Sequence, residues 1–179
     1  MSESTLRHHS IEGYPLKGER ITLLCYRLLS GFLASSRMAK LTTEDLRDPI
    51  FNLREEYEIS EAVHLLIEIA IYCRTAQDKH LKALPINMDW MVNPVGSLVA
   101  NIDARKKEPL VFREACHKLI HAEDITWEVM KEKEVFKRYL KPFVYLYGTK
   151  RENKRANKWR AKLDIIMFVR EAYQLLQLE

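Results

Sequence analysis

Along most of this chain apolar residues recur at helical spacing, and near the C-terminal end they switch to every second position. From Gly18 to about Lys40, Ile21, Leu24, Cys25, Leu28 and Phe32 fall on one stripe, which predicts an amphipathic helix. Thr42 and Asp45 have capping-box spacing, and Asp48-Pro49 offers a second start, with Asp48 as N-cap and Pro49 at the first helical position. The helical pattern then holds from Pro49 to about Leu84, with Ser60 as a candidate break. Ala62, Val63, Leu66, Ile69, Ala70 and Cys73 make so wide an apolar face that this helix is expected at the centre of a bundle. Two prolines mark 85–94 as a loop. Asn93-Pro94 predicts a short helix to about Arg105, and Glu108-Pro109 begins another, with Phe112, Ala115, Cys116, Leu119 and Ile120 on its buried side.

After Ala122-Glu123-Asp124 the period changes. Ile125, Trp127 and Val129 alternate with Thr126 and Glu128, Phe143 to Tyr147 is a second β-rich run closed by Gly148, and Trp159, Ala161 and Leu163 share one side of a third. Thr149 to Asn157 reads as a basic, polar loop. Asp164 is placed to cap a last helix, with Ile165, Phe168, Val169, Ala172, Leu175 and Leu176 as its stripe. Residues 1–16 show no periodicity and read as a flexible arm before a single domain, 17–179. The expected class is mostly α, of the α+β kind: an antiparallel helical bundle with a small three-stranded antiparallel meander, about 125–163, before the C-terminal helix.

Composition narrows the function classes. A chain of 179 residues can bury about 70% of its unfolded surface, so it needs neither disulfide nor metal to fold. Its three cysteines, Cys25, Cys73 and Cys116, lie apart within helical patterns, against a disulfide framework or zinc ribbon and in favour of a reducing cytoplasm. No apolar run approaches the roughly 18 to 20 residues of a membrane span, and Ala62 to Cys73 is interrupted by His64 and Glu68. Only five glycines and no GxGxxG, Walker, GxSxG or HExxH pattern leave no loop for cradling phosphates, and no cofactor is expected.

Charge is uneven: Lys131 to Lys162 holds twelve Lys or Arg against three Glu, so the rest of a chain of net charge +4 is acidic. Within that segment Lys150, Arg151, Lys154, Arg155 and Lys158 are candidates to contact an RNA backbone, with Tyr145, Tyr147 and Trp159 as base-stacking aromatics. The plainer reading is a solvated hairpin tip, with aromatics packing the sheet on the bundle. His64 and Glu68 are spaced to pair on one helix. His8 and His9 fall in the arm, and His80 lies at a helix end.

Arg113, His117 and His121 lie four apart, within about 80° of arc on a helix, opposite the apolar stripe and flanked by Glu114 and Lys118. A guanidinium can hold a phosphate and offset charge in a phosphorane-like transition state. An imidazole can move protons to and from ribose oxygens without a metal. Two histidines four apart can also bind zinc, but no third ligand is evident nearby and no metal is expected. Exposed helical histidines more often hydrogen-bond carboxylates or loops.

The stretch FREACHKLIHAEDI resembles the motif helix of the HEPN superfamily, in the form R-x-x-x-N-x-x-x-H-A, and the likeness continues in FVYLYGTK and KWRAKLDIIMF. It covers roughly 45–176. The resemblance implies a helical bundle, usually a homodimer, and a metal-independent endoribonuclease of toxin–antitoxin or phage-defence type. RNA would be its substrate and an antitoxin or other protein its partner. His121 would then be the catalytic histidine, His117 the polar residue one turn earlier, and Arg113 the phosphate holder. Two features depart from the family pattern. Seven residues separate Arg113 from His121 where active members commonly have four to six, and His117 stands where asparagine is expected. Many HEPN relatives are noncatalytic, so the alternative is a module that binds a protein or nucleic-acid partner.

Overall fold

The structure, a computed structural model, describes residues 17–43, 45, 47–83, 93–104, 106–130, 135–152 and 155–177. The arm at 1–16 and most of the loop expected at 85–94 therefore lie outside the described residues. Helix α1 is Lys17–Leu41, and all five residues of its expected stripe are buried. Helix α2, Pro49–Ala83, runs alongside it in the opposite direction, since Arg20 pairs with Glu68 and Arg27 with Glu61. Asp48 caps α2 as its sequence suggests. Its Oδ1 accepts from the amides of Ile50 (2.8 Å) and Phe51 (3.3 Å), while Oδ2 accepts from Thr43. These bonds, those from Thr43 foremost, favour the carboxylate and hold its pKa at about 2.

Two local expectations fail here for traceable reasons. Thr42 and Asp45 form no capping box, because α2 begins later and Thr42 Oγ1 donates instead to the carbonyls of Ala39 and Phe136. Nor does α2 break at Ser60. Its hydroxyl bonds the carbonyls of Glu56 and Tyr57 within the same helix, which satisfies it without disturbing the ladder.

The larger correction concerns the sheet, which has five antiparallel strands in the order β2-β1-β5-β4-β3 where three were expected. Strand β1 is Pro94–Val99, in place of the helix expected from Asn93-Pro94. A bulge between Pro94 and Ser97 lets Val95 and Leu98, three residues apart, both enter the core, a spacing that imitates a helix. Strand β2, Glu108–Val111, takes the residues expected to open the next helix. Its Pro109 is tolerated because β2 is an edge strand. Helix α3 follows as Phe112–Ile120, without a side-chain cap. Strands β3 (Asp124–Val129), β4 (Leu140–Glu152) and β5 (Arg155–Asp164) form the expected meander, and α4 is Ile165–Leu176. Asp164 caps α4 as expected, accepting from the amides of Ile166 (2.9 Å) and Met167 (3.1 Å).

The strands run further than their sequences suggest. Strand β4 continues past Gly148 to Glu152, so the basic stretch forms the end of a long hairpin and not a nine-residue loop. Gly148 does not end the strand. The Trp159 ring occupies the space a Cβ there would need.

The helices lie on one face of the sheet and do not form a bundle alone. Val144, Leu146, Trp159, Ala161 and Leu163 point inward and join the stripes of α1 to α4 in one core. Phe112 of α3 packs on Phe168 of α4 with ring centroids 5.3 Å apart, and Phe32 of α1 on Trp127 of β3 at 5.7 Å. Ser35 of α1 accepts from the Leu140 amide at 2.9 Å and pins the start of β4. Among the described residues no helix is long and apolar enough to cross a membrane.

Gly96 is the point where β1 lies closest to β5. A Cβ there would overlap the Lys162 carbonyl oxygen, which is backbone in the middle of the sheet and has no room to retreat. Gly96→Ala is therefore expected to cost about 2–3 kcal/mol, read as a lower urea midpoint at unchanged slope. A variant as stable as the wild type would show that β1 does not approach β5 as described.

Candidate functional site

Helix α3 is only nine residues long, and side chains on both sides fix its orientation. Its apolar side, Phe112, Ala115, Cys116 and Leu119, is fully buried. On the opposite side Arg113 Nη2 donates to Asp78 Oδ1 of α2 at 2.7 Å. Asp78 Oδ2 also faces Arg74 Nε one turn earlier on α2, at 3.4 Å. Two guanidiniums thus converge on one carboxylate among the described residues. Arg113 Nη1 is buried and has no hydrogen-bond partner among the described residues.

His117 and His121 do come together, with ring centroids 4.6 Å apart and planes inclined by 58°. His121 sits at the C-cap, its amide bonded to the His117 carbonyl at 3.1 Å, and it is exposed. His117 is half-buried. Burial pushes its pKa below the ordinary 6.5, Glu114 opposes that shift, and His121, Lys118 and Arg74 reinforce it. At neutral pH His117 is therefore an uncharged imidazole, able to accept a proton or a hydrogen bond. Its Nδ1 lies 3.9 Å from Glu114 Oε1, beyond hydrogen-bond reach.

Lys118, expected beside this face, is instead buried. Its ammonium sits 4.3 Å from the centroid of the Trp159 ring and 3.2 Å from Glu114 Oε1. Trp159 is correspondingly a core residue and not an exposed stacking aromatic. Cys116 is no nucleophile, since burial raises its thiol to about 12, as it does that of Cys25. Among the described residues no group of three His, Cys, Asp or Glu is placed to hold a metal ion.

Of the basic candidates, Lys158 and Lys150 have described side chains. Lys158 is exposed and projects from the face of β5 opposite to that of Trp159, away from α3. Lys150, also exposed, is near the far end of β4. Arg151 and Arg155 lie in the paired strands, with side chains outside the described residues, as is the whole of Lys154. Lys158 therefore lies on the other face of the sheet from the α3 residues. His64 does pair with Glu68, at 3.6 Å, on the exposed side of α2, where Glu68 is also bound by Arg20. His8, His9 and the side chain of His80 lie outside the described residues.

Sequence spacing did not single out Arg74 and Asp78. Their i,i+4 relation on α2 was the available signal, but nothing local says that Asp78 faces α3. Glu128 was missed for the same reason. On the outward face of β3 it accepts from Lys141 (3.2 Å), Tyr145 (3.2 Å) and Lys162 (2.8 Å), and these bonds, that from Lys162 first, hold its pKa at about 2.

The arrangement defines an α+β protein with helices on one face of an antiparallel sheet and a guanidinium–imidazole seam at α3. Comparison with protein-family models, curated proteins and solved structures finds no match.

Because the folded pKa of His117 is lowered, the unfolded chain binds the extra proton first on acidification. Its contribution to stability is complete above about pH 6.5 and falls as the pH drops through that value. An NMR titration is expected to place the His117 midpoint below 6.5, and His117→Gln to remove part of the loss of thermal stability between pH 7 and 5.5. A His117 midpoint at or above 6.5 would refute its burial.

Proposed function

We propose that this chain acts on RNA, as the likeness of α3 to the HEPN motif implies, with His117 and His121 as its reactive pair. The observation that carries the reading is the contact of the two imidazoles, one exposed and one held neutral by burial, beside the Arg113–Arg74 seam. In that reaction His121 acts as the acid or base, and His117 orients the ribose 2′-hydroxyl by accepting its hydrogen bond. As that oxygen attacks phosphorus its proton passes to an imidazole, the P–O5′ bond breaks, and the leaving 5′-oxygen takes up a proton, giving a 2′,3′-cyclic phosphate and a 5′-hydroxyl. Arg113 supports the phosphate through its charge, since its Nη1 is buried and its Nη2 is bound by Asp78. No step needs a metal.

A second reading has its own support. Arg113 is already committed to Asp78, and that bond ties α3 to α2, which suits a noncatalytic module whose motif residues hold the helix in place. Incubation of wild type and His121→Ala with total RNA and a tRNA pool in EDTA separates the two. Cleavage by wild type, reduced about 100-fold or more in the variant, is expected if His121 is the acid or base. Equal cleavage by both overturns the assignment, and no cleavage by either folded protein leaves the noncatalytic module.

A further inference from the structure

On the outward face of the sheet, strands β4 and β5 carry two parallel rails. Phe143, Tyr145 and Tyr147 alternate along β4, and Lys158, Arg160 and Lys162 along β5. Their register sets Tyr145 against Lys162, Tyr147 against Arg160, and Thr149 against Lys158. Each residue is about 6.6–6.8 Å from the next on its own strand, and the rails are about 4.8 Å apart. None of these side chains belongs to the core, which draws on the other face alone.

The rails are not uniform. At one end Lys162 is held by Glu128, and its ammonium covers the rings of Phe143 and Tyr145, at 4.3 and 5.3 Å from their centroids. Aromatic faces and charge are both satisfied there. At the other end Val99 and Ile102 join Tyr147 and Arg160 around a surface hollow. Arg160 and Lys158 are exposed and have no ion-pair partner among the described residues. A half-buried ring, an open hollow and two uncompensated cations one pleat apart thus occur together.

We propose that this end of the open sheet face binds single-stranded RNA, with a base seated on Tyr147 and successive phosphates on Arg160 and Lys158. The inference deepens the proposed action on RNA and rests on that reading for the choice of RNA. Charge complementarity favours this occupant, since the exposed cations on β5 lie in the chain's most basic segment. The alternation of ring and cation suits an extended strand whose bases are splayed to one side and phosphates to the other. A duplex, with its bases stacked inside, could use only the cations.

The test is fluorescence anisotropy with a labelled 12-nucleotide single strand of 2′-O-methyl RNA, which cannot be cut through its 2′-oxygen, and with a duplex of the same length. Wild type is expected to prefer the single strand, and Tyr147→Ala to weaken it about tenfold while Tyr147→Phe retains it. Arg160→Glu is expected to weaken it too and to flatten its salt dependence. If Tyr147→Ala fails to fold, Arg160→Glu and the comparison of single strand with duplex carry the test. Equal affinity for duplex and single strand, or unchanged binding by both surface variants, would overturn the proposal. Because the 2′-O-methyl probe cannot be cleaved, its binding is read apart from any reaction at His121, so failure of the cleavage reading and failure of the sheet-face reading are separable.

Discussion

Strand β5 is hydrogen-bonded along both edges, to β4 on one side and β1 on the other, and its pleat decides what each side of the sheet carries. With Trp159, Ala161 and Leu163 turned toward the helices, Lys158, Arg160 and Lys162 must turn away. A slip of one residue would exchange the two sets, burying three cations and exposing the core. The register is held by shape as well as by hydrophobicity. Trp159 needs the missing side chain of Gly148 across the ladder, and the Lys162 carbonyl needs that of Gly96. Two of the chain's five glycines thus fix the strand from which both candidate surfaces take their orientation.

Helix α3 depends on the same strand. Nine residues are too few for a helix to persist by itself in water, so its position is set by what it touches. Phe112 anchors it to Phe168, Arg113 ties it to α2, and Lys118 rests its ammonium on the Trp159 ring. A lysine only 8% exposed is tolerable there because Glu114 and the π face of the indole stand in for water. The imidazole pair at the end of α3 is therefore oriented, through Lys118, by the inward residue of β5 whose neighbours Lys158 and Arg160 form the outward cationic rail.

What the sequence disclosed and what it withheld divide along physical lines. Features decided within a few residues were legible: the stripes of α1, α2 and α4, the caps at Asp48 and Asp164, and the alternation of Trp159, Ala161 and Leu163. Features decided by distant partners were not. Val95 and Leu98 have helical spacing, and only pairing with β5 on one side and, across a bulge, with β2 on the other makes them part of a strand. At the site, the proximity of His117 and His121 follows from one turn of helix and could be read directly. The engagement of Arg113 by Asp78 and the burial of Lys118 are tertiary facts, and a helical wheel has no place for them.

The two proposed RNA-contacting regions lie on opposite faces of the sheet, yet the chain brings them near one rim. Two residues after His121, the Glu123 amide donates to the Tyr147 carbonyl at 2.8 Å, and the Glu123 carboxylate accepts from both the amide and hydroxyl of Thr149. Two residues of chain span about 7 Å at most, so His121 lies close to the edge that β3 forms beside Tyr147. On the proposed reading, a strand seated on Tyr147 has only β3 to cross before reaching the imidazoles. Asp124, exposed and paired in register with Tyr147, stands on that path and would repel a phosphate. On the proposed reading the strand on the sheet face keeps its phosphates on the β5 side, and the scissile phosphate reaches Arg113 and the imidazoles by a path clear of Asp124.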